Sequence, residues 1–204
     1  MIYNTLGKTG LEVSRLGFGT MRLPTKSDNS DIDKVEATKM LEYAIENGVN
    51  IIDTAYPYHA KGLSGSGESE RFLGEFFSEN SYRDDIILQT KSPVWAVEQK
   101  SDFDDFLDEQ LEKLQTDYID VYLLHSLTVP DWEKVKNLDV LEFLDDALSS
   151  GKVAHVGFSS HIEVDYLIEI IDEYPKWEVV LTQMNYLDEY YQSGIMGLDY
   201  LKTT

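Results

Sequence analysis

Val49-Asn50-Ile51-Ile52 runs into Asp53, and Ile86-Ile87-Leu88-Gln89-Thr90 runs into Lys91. Three more short runs close the same way: Val121-Tyr122-Leu123-Leu124 on His125, Val156-Gly157-Phe158 on Ser159, and Val179-Val180-Leu181-Thr182 on Gln183. Apolar, β-branched runs of this length read as strands covered on both faces, which is the habit of parallel sheets. With the earlier run at 16–21, they predict strands over 16–21, 49–52, 86–88, 119–124, 153–158 and 179–184. Amphipathic segments at 34–47, 69–77, 102–114, 138–150 and 161–174 lie between them. Leu107, Leu111 and Leu114 keep helical spacing, while Gly48 and Gly151 stand where a helix would stop before the next strand.

The strand–helix unit recurs every roughly 26–37 residues, which predicts a parallel α/β sheet, either open or closed into a barrel. Residues 2–6 and 11–13 flank Gly7-Lys8-Thr9-Gly10 and predict a small hairpin able to cap one end of a barrel. In a closed barrel the carboxyl ends of the strands converge on one face, where such enzymes place their chemistry. Asp53, Lys91, His125, Ser159 and Gln183 would then share that face.

Composition narrows the class of function. The 204 residues carry 38 acidic and 17 basic side chains, a net charge of −21, and no cysteine. That charge repels phosphate backbones and anionic lipid, so neither nucleic acid nor a membrane surface is the expected partner. Without cysteine there is no disulfide, thiolate metal site, iron–sulfur ligation or cysteine nucleophile in these residues. The start shows no charged segment followed by an apolar one, and no run approaches a membrane span, so a cytoplasmic location is expected. The stretches 24–31 and 59–67 are the most loop-like, and no linker divides the chain, so residues 1–204 are read as a single domain. The four histidines lack metal-ligand spacing, and the acid-rich stretch 98–120 reads as a solvated helix face.

Leu16-Gly17-Phe18-Gly19-Thr20-Met21, Asp53-Thr54-Ala55-Tyr56-Pro57-Tyr58, Gly67-Glu68-Ser69-Glu70 with Leu73-Gly74, Thr90-Lys91, Asp117-Tyr118-Ile119-Asp120 with Leu123-Leu124-His125, and Gly157-Phe158-Ser159 together resemble the aldo/keto reductase family. The resemblance implies a TIM (β/α)8 barrel and hydride transfer between a nicotinamide cofactor, NADP(H) or NAD(H), and a small aldehyde or ketone. It implies a catalytic set of Asp53, Tyr58, Lys91 and His125. Tyr58 would be the proton donor, with Lys91 lowering its pKa, Asp53 pairing with Lys91, and His125 orienting the carbonyl. It also implies a cofactor floor of Gly19, Thr20, Met21, Asp53, Ser159, Ser160 and Gln183. Ser160 stands where many members have asparagine. Only six of eight strands are visible, so the chain is expected to be a truncated barrel of about six strand–helix units, with 190–202 as the sixth helix. The adenosine-end residues would lie beyond Thr204, as would the iron–sulfur cluster of a related branch with a ferredoxin-like C-terminal segment. The 204 residues alone are expected to be self-associated or partly molten and without reductase activity.

Other readings fit fewer residues. Gly17-Phe18-Gly19 lacks the third glycine and the following helix of a dinucleotide fingerprint. A strand-end lysine also suits a Schiff-base aldolase built on Lys91, and a catalytically silent nucleotide-binding or regulatory barrel uses the same fold.

Overall fold

Residues 1–62, 65–184 and 187 are described by a computed structural model. The expected helix over 190–202 lies outside the described residues. Six parallel strands follow one another in space in chain order: β3 (Phe18–Gly19), β4 (Ile51–Asp53), β5 (Ile87–Ser92), β6 (Ile119–Leu127), β7 (Val153–Ser160) and β8 (Val179–Thr182). Each strand pairs with its successor, with no strand order reversal, so the chain builds an arc of the (β/α)8 barrel. Helices α1 (Lys34–Glu46), α2 (Ser69–Glu79), α3 (Ser101–Leu114), α5 (Val140–Ser150) and α6 (Val164–Glu173) fill the crossovers at the predicted places. Gly48 and Gly151 follow two of these helices at φ of 92° and 79°, backbone that side-chain-bearing residues resist.

Strand parity divides the apolar residues into two cores. Ile52, Leu88, Tyr122, Leu124, Val156 and Phe158 point outward into the large core shared with the helices. Val121, Leu123 and Val179 point inward, where Ile87 and the hairpin residues Leu6 and Leu11 pack on them. The hairpin, β1 (Tyr3–Thr5) against β2 (Glu12–Ser14), is antiparallel as expected. Asn50 fastens it below β4: its amide donates to the Glu12 carbonyl at 2.8 Å and its Oδ1 accepts from the Ser14 N–H at 2.7 Å. The hairpin therefore closes the end of the sheet opposite the strand carboxyl ends.

Two differences from expectation have local causes. The strand expected over 16–21 shrinks to Phe18–Gly19, paired to β4 only through Phe18–Ile52 and Gly19–Asp53. Leu16 is exposed and its carbonyl accepts the Ser14 hydroxyl, so the residues before Phe18 belong to the hairpin's exit. An unforeseen helix, α4 (Val129–Lys136), follows β6. Thr128 caps it by accepting from the Asp131 N–H at 3.2 Å, and Trp132 and Val135 bury its inner face.

Candidate active site

Lys91 occupies the interior of the arc on β5, in phase with Ile87 and Gln89, and its side chain is only 1% exposed. Its ammonium donates to Asp53 Oδ1 at 2.6 Å, to the Thr54 carbonyl at 2.7 Å and to the Tyr58 hydroxyl at 3.2 Å. Asp53 ends β4 beside it and keeps 26% of its side chain in solvent. Burial pushes the Lys91 amine below its ordinary range, opposed by the carboxylate and hydrogen bond of Asp53.

Tyr58 comes from the turn after β4. A Cβ on Gly67 would stand 1.9 Å from the Tyr58 carbonyl oxygen, so only glycine lets the chain return this closely before α2. The same carbonyl accepts the Ser69 N–H at 3.2 Å, and the Tyr56 carbonyl accepts the Gly67 N–H at 2.8 Å. The Tyr58 phenol is pushed above its ordinary pKa, first by burial and then by the Asp53 charge. Lys91 touches the phenol at 3.2 Å.

His125 meets Tyr58 edge to face, ring centres 5.8 Å apart, and lies against Trp95 at 5.2 Å. Burial, followed by the charges of Lys91 and His161, brings His125 down to about 3. It is therefore a neutral imidazole at ordinary pH, and its buried Nδ1 has no hydrogen-bond partner among the described residues.

The expected cofactor-floor positions divide in two. Among the described residues nothing lies within 4 Å of where a Cβ of Gly19 would stand, Met21 and Gln183 are exposed, and the Ser159 hydroxyl accepts from the Ser126 N–H at 2.8 Å. These residues fit a ligand lying across the strand ends. Thr20 and Ser160 are committed elsewhere. Ser160 donates to the Leu127 carbonyl at 2.7 Å and accepts from the Ile162 N–H at 3.2 Å, so it shapes the turn before α6. Thr20 donates to the Asp53 carbonyl at 3.0 Å and accepts from the Ser69 hydroxyl at 2.7 Å. Ser69 and Thr54 hydroxyls lie 2.9 Å apart, and with one hydrogen each the chain must run Thr54, Ser69, Thr20, Asp53 carbonyl.

Three supporting features carried no assigned role in the sequence reading. His59, next to Tyr58 at φ 63°, sets Nε2 3.2 Å from the Leu23 backbone nitrogen and 3.1 Å from the Thr20 carbonyl, and Nδ1 2.6 Å from the Asn29 carbonyl. Glu70 and Lys113 form an ion pair at 2.5 Å with both side chains out of solvent, whereas none of the carboxylates of 98–120 is buried. Glu70 Oε1 also accepts from Thr90 and Gln110, and Gln110 donates to the Lys91 carbonyl at 3.1 Å. Trp95, just past β5, walls the site beside His125. Sequence spacing does not bring these residues together, although Glu70 lies within the Gly67-Glu68-Ser69-Glu70 stretch.

Among the described residues no helix is long and apolar enough to cross a membrane. The chain is 33% identical over 163 residues to 6-dehydroglucose reductase of Novosphingobium aromaticivorans, covering 78% of this chain and 51% of that protein. It is 30% identical over 167 residues to aldo-keto reductase YhdN of Bacillus subtilis, covering 78% and 47%. It thus spans about half the length of the curated relatives it matches. The holo form of aldo-keto reductase AKR11C1 from Bacillus halodurans superposes with a TM-score of 0.68 at 29% identity, over 90% of this chain and 57% of that one. The family profile described as Aldo/keto reductase matches residues 15–197. With that match across most of its length, the chain belongs to the aldo/keto reductase family.

Proposed function

We propose that these residues carry the reducing site of a nicotinamide-dependent carbonyl reductase acting on a small aldehyde or ketone. The observation that supports this best is the Lys91 ammonium held between Asp53 and Tyr58, with neutral His125 beside the phenol. A reduced nicotinamide, NADH or NADPH, bound across Gly19, Met21, Asp53, Ser159 and Gln183 would supply hydride to the carbonyl carbon. Tyr58 then gives its proton to the carbonyl oxygen as negative charge develops there. Its raised pKa does not forbid this, because an alkoxide is a stronger base than a phenolate. Lys91 stabilises the phenolate left behind through its 3.2 Å hydrogen bond. His125, neutral, orients the carbonyl as an N–H donor rather than acting as an acid. Trp95 and the rings around it keep water from the reacting atoms.

The aldolase alternative needs a Lys91 amine with a free lone pair facing substrate. Here three acceptors surround Nζ, which holds it in the donor role.

The test uses the protein in its longest encoded form, with reduced nicotinamide and a small aldehyde. Turnover should fall at least ~100-fold in Tyr58→Phe, with nucleotide affinity kept, since a general acid is worth that much. Wild-type turnover in that variant overturns the assignment. Borohydride trapping of a substrate adduct on Lys91, without nicotinamide oxidation, would decide for the aldolase.

A further inference from the structure

Asp53 Oδ1 receives two donors. One is Lys91, and the other is the side-chain amide of Gln89, also at 2.6 Å. Gln89 is buried, sits directly opposite Asp53 in the β4–β5 ladder, and precedes Lys91 by two residues, so all three side chains share the inner face. Its main chain takes part as well: the Gln89 carbonyl accepts the Thr54 N–H at 2.8 Å, while the Thr54 carbonyl accepts from Lys91. Gln89 thus grips residues 53 and 54 by both its backbone and its side chain.

We propose that Gln89 is a positioning residue that fixes the Asp53 carboxylate against the Lys91 ammonium. It deepens the reductase reading without touching substrate or cofactor. Asp53 is partly exposed, so without a second contact its carboxylate could rotate toward water and lose the short bond to Lys91. A buried amide on the same oxygen removes that freedom, and a hydrogen bond to a charged acceptor is about twice as strong as a neutral one. Lys91 depends on the arrangement because burial works against its charge. The groups facing it are Asp53 from β4, Tyr58 and the Thr54 carbonyl from the following turn, and His125 from β6, with Glu70 of α2 contributing through its charge. Of these, Asp53 opposes burial most strongly, and Gln89 holds Asp53 in place.

Gln89→Met keeps the volume and removes the donor. The readout is the Nζ resonance of Lys91 in a 15N-lysine-labelled chain titrated with alkali, assigned by its absence in Lys91→Met. The variant should melt within a few degrees of the parent and show the Lys91 ammonium signal lost at a lower pH. Superimposable Lys91 titrations in a folded variant would overturn the inference. Should Gln89→Met fail to fold, Gln89→Leu and Gln89→Glu are read the same way: Leu should reproduce the downward displacement, and Glu, adding negative charge, should displace it upward. Displacement in neither overturns the inference. The titration needs no nucleotide or substrate. A displaced signal in a protein that never oxidises nicotinamide would sink the reductase reading alone.

Discussion

The Gly67 Cα and the Tyr58 carbonyl are so close that a methyl group on Gly67 would stand 1.9 Å from that oxygen. The residue proposed to deliver the proton is therefore placed by a glycine nine positions further on. Gly67→Ala should force the turn after β4 apart, destabilising the fold by about 1–3 kcal/mol, the usual cost of an overpacked site. Urea unfolding measures this. An unchanged midpoint would show that the turn yields freely.

The Glu70–Lys113 pair predicts an asymmetry between single and double variants. Removing Glu70 leaves the buried Lys113 ammonium with the more distant Glu109 carboxylate at 3.7 Å in place of its close partner. Glu70→Leu should therefore cost about 3–5 kcal/mol, whereas Glu70→Leu with Lys113→Met should recover most of the loss. A double variant as unstable as the single would mean that the carboxylate's bonds to Thr90 of β5 and Gln110 of α3, rather than the ion pair, hold α2 in place.

His125 makes stability depend on pH with a definite sign. Its folded pKa, about 3, lies below the ordinary value of 6.5. Between these values the unfolded chain binds the extra proton, so stability rises with pH through this window and is lost as pH falls from 6.5 toward 3. The contribution to the slope is at most about 1.4 kcal/mol per pH unit. His125→Phe should flatten the acid side of a plot of unfolding free energy against pH. An identical slope in the variant would show that the imidazole is freely protonated in the folded chain.

His59 ties the segment after β3 to the residue that follows Tyr58. His59→Ala removes two hydrogen bonds while keeping an unfavourable positive φ, and should cost about 1–3 kcal/mol. His59→Gly removes the same bonds but relaxes the backbone, and should be the milder change by roughly 1 kcal/mol. Thermal melts of the pair read the difference directly. If alanine is the milder change, the strain argument fails.

The strands were legible because parity and polarity agreed: each inner-face run ended on a group that could not be buried without a partner. The meeting of Asp53 and Lys91 followed from strand ends converging on one face, whereas Tyr58 entered only through the family resemblance. Other features could not be read so easily. The helix Val129–Lys136 follows its strand after a single residue, and its apolar positions are few, so its period is weak. The roles of Thr20 and Ser160 depend on which neighbour uses each hydroxyl, and a sequence does not carry that information. The balance at the Tyr58 phenol, with burial and the Asp53 charge raising its pKa beside the Lys91 ammonium, depends on distances that a sequence does not carry. Gln89 stood in plain sight beside Lys91, but its target is across the sheet.

The chain of hydroxyls from Thr54 through Ser69 and Thr20 to the Asp53 carbonyl also bears on how this protein can change over generations. Ser69 and Thr20 each give one hydrogen and receive one, so replacing either by a carbon side chain severs two bonds at once, while replacing Thr54 severs one. Serine and threonine can exchange freely at these positions, whereas valine or alanine at one of them favours a matching loss at the next. These positions should drift together among descendants, as an inherited block, even though they come from three separate segments of the chain.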